Sequence, residues 1–549
     1  MGGKVLVSGD IPNQNPVAGP LSALDGNGPA GRPGRIMSNL PSTTAPNRRG
    51  WNCLLMFVAL VGLYLVWCGR YYDTEALKQA MWNYPGPTVQ SVRHAWSHVW
   101  YWYWWEAVSP FAGSDFDTRM RWMTLLNALL ASGSVVLLMD SLRVRGVSAS
   151  VAAGSGLLLG GAAAWFHQSS QPMEPMMAEF WLLLSLRLSL VEGRRETVAT
   201  AGAAICWALA VAAYQTYVFA GPGLLILVGT RWRRAVLWLA LAAVVGVTLS
   251  FLAAYGFGVR SPGRVIEYLT AKDDAGYWGF FHLSAVAQTG IGVVNAISPP
   301  WPTAGWPGLR EGWKTLGGGP RAYLVGHAAV WAFAVLIVVL RPPRPENRRF
   351  YWAAVAMFLG GLFFPFYLLP YYSKLWLLPL GALALLAGLA ASHGPVGRGL
   401  LFAFLGWMLL RNSVQVYAHY HRSDNPSQLA AVALEKSIGT NDLLVCDGWD
   451  HSDLFLTRNP GRPRFAVMFD SREPQALAEL IRSARSRHAR VWFFGLLELT
   501  PEQWAANDSG KRGTTIPYAA LQAYKPQARL VWRGTERGFA GDLYELDRP

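Results

Sequence analysis

Apolar residues run along this chain in long stretches between Trp51 and about Arg411, separated by short polar connections. Many stretches reach the ~17–25 residues that carry a helix across a ~30 Å hydrocarbon core. They predict spans at roughly 51–69, 122–141, 147–166, 175–192, 197–213, 215–230, 235–256, 322–340, 351–370, 375–392 and 398–412. The connections around Tyr214 and Tyr372 are so short that the flanking pairs read equally as broken or re-entrant elements. Beyond about residue 413 the pattern changes. Asp442–Asp447, Arg464–Asp470, Ala489–Gly495 and Ala528–Trp532 read as short strands, alternating with helical patterns at about 427–438, 473–486 and 516–524. That alternation predicts a small α/β layer with a partly parallel sheet.

The expected fold is therefore a polytopic α-helical membrane protein of about 11 transmembrane helices. Interfacial helices occupy its outer loops, and a C-terminal α/β soluble domain covers 424–549. Residues 1–50, rich in Gly, Pro, Asn and Ser and without apolar periodicity, read as a disordered tail ahead of the transmembrane part, 51–412. Leu6 stands where a myristoylation signal needs Ser or Thr, and the first apolar run starts too late for a secretory peptide. The first span is expected to stay as an anchor.

Charge supplies an orientation. Arg143 and Arg145, then Arg194 and Arg195, then Arg231, Arg233 and Arg234, then Arg341, Arg344, Arg348 and Arg349, and finally Arg398 fall in alternate connections. Basic residues in short connections favour the cytoplasmic side. The N-terminus is then expected in the cytoplasm and the terminal domain outside, periplasmic if this is an inner membrane. The outer segments become about 70–121, 167–174, 257–321, 371–374 and everything after 413.

Composition agrees with a life in lipid: 52% of the 549 residues are hydrophobic and only 15% charged, against about 25% in soluble proteins. The formal charge of +15 is not gathered into a patch with interleaved aromatics, which argues against nucleic acid as a partner. Cys53, Cys68, Cys206 and Cys446 are too dispersed for a disulfide framework or a CxxC metal site. The 26 tryptophans suit the membrane–water boundary.

Candidate chemistry lies in the outer segments. Asp73 and Glu75 follow the first span, where a carboxylate can take a proton from an acceptor hydroxyl, or else cap an interfacial helix. From His94 to Trp105 the chain is almost wholly aromatic, with His94 and His98 one turn apart. That surface suits lipid, and its rings can also stack on sugars or polyprenyl tails. Asp115 and Asp117 could share a divalent cation, or serve as a helix cap. His167, Glu174 and Glu179 mark the second outer segment. An ionisable group at membrane depth, as Glu179 would be, should face a protein interior or a wet cavity. Tyr214, with Gln215 and Tyr217, lies at the next outer end. Arg260 and Lys374 are outer cations that break the general charge bias and could meet a phosphate. Asp447, Asp450, His451 and Asp453 follow a strand and read either as a site or as a capped turn.

Taken together, this arrangement resembles the GT-C superfamily of membrane glycosyltransferases. It resembles in particular the bacterial members related to protein O-mannosyltransferases and to aminoarabinose transferases. The likeness rests on the acidic pair after a cytoplasmic start and on the Arg121-to-Ser132 run of the second span. It also rests on the His167-to-Glu174 turn entering Glu179-Phe-Trp, and on the outer terminal domain. The resemblance implies a polyprenyl-phosphate sugar donor, transfer on the outer face of the cytoplasmic membrane, and membrane lipids as partners. The acceptor would be a lipid, protein or glycan of the cell envelope. It also implies an acidic residue of the first outer loop as helper of the acceptor. Asp73 matches that position best, with Glu75 as neighbour, although Thr74 separates two residues that are often adjacent in the superfamily. Arg260 and Lys374 are then candidates for the phosphate. Asp115, Asp117 or Glu174 would hold a divalent cation, magnesium or manganese, if one takes part. A multi-pass transporter and a noncatalytic scaffold of an envelope-polymer complex remain as alternatives.

Overall fold

The computed structural model describes residues 46–68, 77, 95–113, 115–229, 231–256, 261, 263–264, 283–299, 344–367, 373–418, 426–446, 451–459, 461–467, 474–506, 516–534 and 541–547. Among these the chain begins with α1 (Pro46–Val66), α2 (Ala95–Val108) and α3 (Phe116–Val144). There follow α4 (Ala149–Gly160), α5 (Ala163–Ser169), α6 (Glu174–Ser189) and α7 (Glu196–Ala213). A 3-10 turn over Gln215–Ala220 leads into α8 (Gly221–Val228), then come α9 (Trp232–Gly256), α10 (Leu283–Ile297), α11 (Arg348–Tyr367), α12 (Leu377–Ala391) and α13 (Pro395–Asn412).

Six helices among the described residues are long and apolar enough to cross a membrane, or seven if the bent pair α4–α5 is one span. Ten of the eleven expected stretches fall on described helices, and 322–340 lies outside the described residues. The expected single span at 147–166 is in fact two helices bent by 69°. The break falls at Gly160–Gly161, where the ordinary helical ladder is interrupted and side chains satisfy the freed carbonyls. Tyr64 donates to the Gly160 carbonyl at 2.8 Å, and Tyr417 and Asn412 donate to the Gly161 carbonyl at 2.7 and 2.8 Å. At membrane depth such donors are what makes a broken helix tolerable.

One apolar core unites the bundle, with α12 at its centre: Leu377, Leu385 and Ala384 are almost wholly shielded. The basic turns meet at one end. Arg234 binds Glu196 at 3.3 Å, the Thr200 hydroxyl at 2.7 Å and the Ser189 carbonyl at 3.0 Å. Beside it Asn347 donates to the Arg145 carbonyl at 3.1 Å, and Arg344 to the Ser392 carbonyl at 3.2 Å. One turn in from that end, Arg187 pairs with Asp140 at 2.5 Å.

After α13 the chain forms α14 (Pro426–Ser437), β1 (Leu443–Cys446), α15 (His451–Arg458), β2 (Arg464–Ala466), α16 (Pro474–Ser486) and β3 (Val491–Phe494). It ends with α17 (Pro501–Ala506), α18 (Tyr518–Gln522), β4 (Ala528–Trp532) and β5 (Leu543–Leu546). The strand order is β2-β1-β3-β5-β4. β1 is parallel to β2 and β3, with Leu444 opposite Arg464 and Trp492, whereas β5 is antiparallel to β3 and β4. One face of the sheet packs on α16 and α18 through Val445, Phe493, Leu477 and Leu521. The other face, with Leu444, Trp492 and Phe494, packs on α14 and α15 and shares a core with Leu77 and with Met120 of α3. Asp442 ties the start of β1 to β3: it accepts from the Gly439 amide, the Arg490 amide and the Trp492 indole, and these bonds with the Arg490 charge hold its carboxyl below the usual carboxylate range despite partial burial.

Candidate functional site

The end of the bundle opposite the arginines is built differently. α3 has 29 residues and is about 44 Å long, longer than a ~30 Å hydrocarbon core. About 20 of its residues suffice to cross such a core, so the helix extends past it. At the level of Asn127 the chain makes its turn between α5 and α6. The Asn127 amide nitrogen donates to the Gln168, Gln171 and Met173 carbonyls at 3.0, 2.7 and 3.0 Å. Its oxygen accepts from the Tyr101 hydroxyl, which also reaches the Met173 carbonyl at 3.2 Å. A single amide thus sinks a polar turn into the bundle.

That turn carries three expected residues. His167 lies against Gln171, ring nitrogen to amide, at 2.9 Å. Glu174 opens the first turn of α6, buried, within electrostatic range of Tyr101. Glu179, just over one turn deeper, has no exposed surface and lies against Gly381 of α12 and beside Tyr217. A Cβ at 381 would collide with its carboxyl, so glycine there is what admits the acid.

Tyr214 and Lys374 complete the cluster. The Tyr217 hydroxyl donates to the Pro175 carbonyl at 3.3 Å, and its ring meets Tyr214 edge-on at 6.1 Å. The Lys374 ammonium stands 5.8 Å from the centre of the Tyr214 ring, a cation–π distance. Next to Lys374, the Ser373 hydroxyl accepts from Gln168 at 3.0 Å. His167, Glu174, Glu179, Tyr214 and Lys374 therefore converge, although they come from three separate stretches of sequence.

The aromatic helix α2 roofs this region. Ser97, His98, Tyr101 and Val108 form its buried stripe, while Trp100, Trp102 and Tyr103 face outward. The Trp96 indole donates to the Leu249 carbonyl of α9 at 2.8 Å and the Trp104 indole to the Trp122 carbonyl at 2.7 Å. Arg119 lies 4.6 Å over the Trp105 ring. His98 is thus turned inward; its expected companion His94 lies outside the described residues, as do Asp73, Glu75 and Arg260.

Asp115 and Asp117 each have a protein partner. Asp115 is the N-cap of α3: it accepts from the Thr118 amide at 2.8 Å, and bonds from the Thr118 hydroxyl and amide hold its carboxyl below its ordinary value. Asp117 meets Arg458 at 3.2 Å. Among the described residues no three His, Cys, Asp or Glu side chains gather at one point. In the terminal layer, His451–Asp453 begins α15, and 447–450 lies outside the described residues.

Tyr101, Asn127, Gln168, Gln171 and Ser373 belong to the cluster and went unpredicted. Asn127 offered the one usable signal, a lone amide within an otherwise apolar span. Which carbonyls it would meet has no local signature.

No family model matches the sequence, and no curated protein is recognisably similar to it. Solved structures do match. ArnT from Cupriavidus metallidurans bound to undecaprenyl phosphate superposes with a TM-score of 0.57 at 13% identity, over 90% of this chain and 98% of that one. The apo form of the same protein gives 0.56 at 14% identity, over 91% and 98%. The chain thus shares the fold of ArnT over about 90% of its length.

Proposed function

We propose, on the premise of that shared fold, that this protein is a GT-C glycosyltransferase of the cytoplasmic membrane. It would move a sugar from a polyprenyl-phosphate donor to a lipid, protein or glycan acceptor at the face opposite the arginine-rich turns. The observation that carries the reading is that Glu174, Glu179, Tyr214 and Lys374 lie together at the end of the bundle opposite those turns, in the fold of a protein crystallised with undecaprenyl phosphate. Eleven crossings, a cytoplasmic N-terminus and an external α/β layer are part of the proposal. The alternating arginines support them.

The chemistry asked of the residues is modest. A lipid-linked phosphate is an adequate leaving group, so the protein aligns donor and acceptor, removes the acceptor's proton and offsets charge on the departing phosphate. Asp73, with Glu75 beside it in sequence, is the proposed base. Lys374 and Arg260 are the proposed phosphate partners. Lys374 is well suited: an ammonium that is 7% exposed and seated on an aromatic face is desolvated, which strengthens its pull on an anion. The rings of α2, with His94 and His98, would seat the isoprenoid or the sugar. No step is routed through a cation at Asp115 and Asp117.

The deciding experiment incubates the purified protein with radiolabelled polyprenyl-phosphate sugars and envelope acceptors. Wild type is expected to transfer label, Asp73→Asn to lose at least about 10²-fold in rate, and both to insert in membranes alike. Full activity in Asp73→Asn overturns the assignment of the base. Absence of transfer from any donor overturns the function.

A further inference from the structure

The buried turn that Asn127 holds is polar throughout, yet its side chains are not used alike. The His167 ring and the Gln171 amide bond each other at 2.9 Å. The Ser169 hydroxyl donates to the Trp165 carbonyl at 2.6 Å, and that of Ser170 to the His167 carbonyl at 3.4 Å. Gln168 differs. It has no exposed surface, its amide nitrogen donates to the Ser373 hydroxyl at 3.0 Å, and its amide oxygen, Oε1, is buried without a hydrogen-bond partner. A buried carbonyl left in that state is costly, and a donor that reaches it recovers the cost.

The amide is held at both ends. Asn127 fixes the Gln168 main chain through its carbonyl at 3.0 Å, and Ser373 fixes the tip of the side chain. Lys374 follows Ser373 directly, and Glu174 closes the same turn. What can meet the unfilled oxygen is set by its chemistry. An amide oxygen only accepts. An ionised phosphate oxygen also only accepts, so the two repel, and a phosphate is left to the neighbouring Lys374 ammonium. A sugar hydroxyl donates, and because it also accepts, it suits this amide whichever way round its terminal atoms stand.

We propose that Gln168 is a specificity-determining residue: its amide takes a hydroxyl of the transferred sugar, Ser373 holds that amide in place, and Lys374 takes the phosphate of the same donor. The inference rests on the transfer reading and adds to it the group that tells a sugar-bearing lipid from a bare lipid phosphate. In such a donor the saccharide is joined directly to the phosphate. A phosphate at Lys374 therefore brings sugar hydroxyls to the adjoining Ser373–Gln168 pair. A site built around a buried acceptor discriminates against a ligand that cannot fill it.

The test measures binding, so it needs no turnover. The full-length protein in detergent is titrated with bare undecaprenyl phosphate and with undecaprenyl-phosphate mannose, glucose and aminoarabinose. Gln168→Met keeps the length of the side chain and removes the amide. It should weaken binding of the sugar-bearing lipid that wild type holds tightest by about 10-fold, the worth of one buried hydrogen bond, and leave bare undecaprenyl phosphate within about twofold. Lys374→Gln should weaken both. Among monodeoxy analogues of that sugar lipid, one should bind wild type about 10-fold more weakly than its parent, and the difference should vanish in Gln168→Met. A deoxy series without a costly position overturns the contact, and it decides alone if Gln168→Met fails to fold. Equal loss of bare and sugar-bearing lipid in Gln168→Met also overturns it, since Gln168 would then only support the turn. So does no loss at all, which would mean that water fills the place. If wild type binds none of these lipids, the transfer reading falls and the contact with it. If it binds them and the Gln168→Met pattern fails, the contact alone falls.

Discussion

Glu179 shows how a single acidic residue is accommodated among apolar helices. Its carboxyl occupies the space that a side chain at 381 would take, and Tyr217 flanks it. Gly381→Ala should therefore force α12 away from α6, costing about 1–3 kcal/mol. Thermal denaturation in detergent would read this, and Glu179→Gly in the same background should recover part of the loss. Glu498, in the terminal layer, presents the opposite case: burial pushes its carboxyl up to about 7, while it accepts from the Asp542 amide at 2.7 Å. The unfolded chain would lose that proton near its ordinary value of 4.5, so between about 4.5 and 7 the unfolded state binds fewer protons than the folded one. Stability should fall as pH climbs through that window and then level off. Glu498→Gln should flatten this slope and melt higher than wild type at pH 8.

Among the elements, the broken pair α4–α5 sets the depth of the site. Had the helix run straight on, His167 and Gln168 would have lain on a lipid-spanning rod rather than beside Asn127. The break is held by donors from distant helices, and Asn412 is the most heavily used, its amide reaching both the Gly161 and Ile297 carbonyls at 2.8 Å. Asn412→Leu leaves the Ile297 carbonyl without that donor and should cost about 1–3 kcal/mol. If transfer is the function, activity should fall with it, because the turn that carries Glu174 would lose its support.

For the molecule as a whole, the arginine-bearing end and the cluster-bearing end are distinct, and labelling can tell which faces the cytoplasm. In a variant with its four cysteines replaced, Phe111→Cys should react with an impermeant maleimide in intact cells and Arg194→Cys only after lysis. The reverse pattern would invert the proposed orientation. Much of this architecture was legible in the sequence, since hydropathy, alternating arginines and four of the five strands stand out as local patterns. β5 was not, because Leu543–Leu546 is four residues flanked by Asp542 and Asp547 and carries Glu545 within it. α15 was not, because His451-Ser-Asp453 looks like a turn. The cluster was half legible: Glu174, Glu179, Tyr214 and Lys374 could be singled out as costly or misplaced charges and polar rings, whereas their convergence depends on a helix break whose stabilising partners lie about 250 residues away.

The bond from Trp96 to the Leu249 carbonyl has a consequence of its own. Its acceptor belongs to the main chain of α9, a peripheral helix with most of its surface turned away from the bundle, so no exchange of side chain at 249 removes it. Long helices answer a thinner or thicker bilayer by tilting, and the tryptophan would carry that tilt to the roof over the site. A change in bilayer thickness would then be felt at α2 through that one bond.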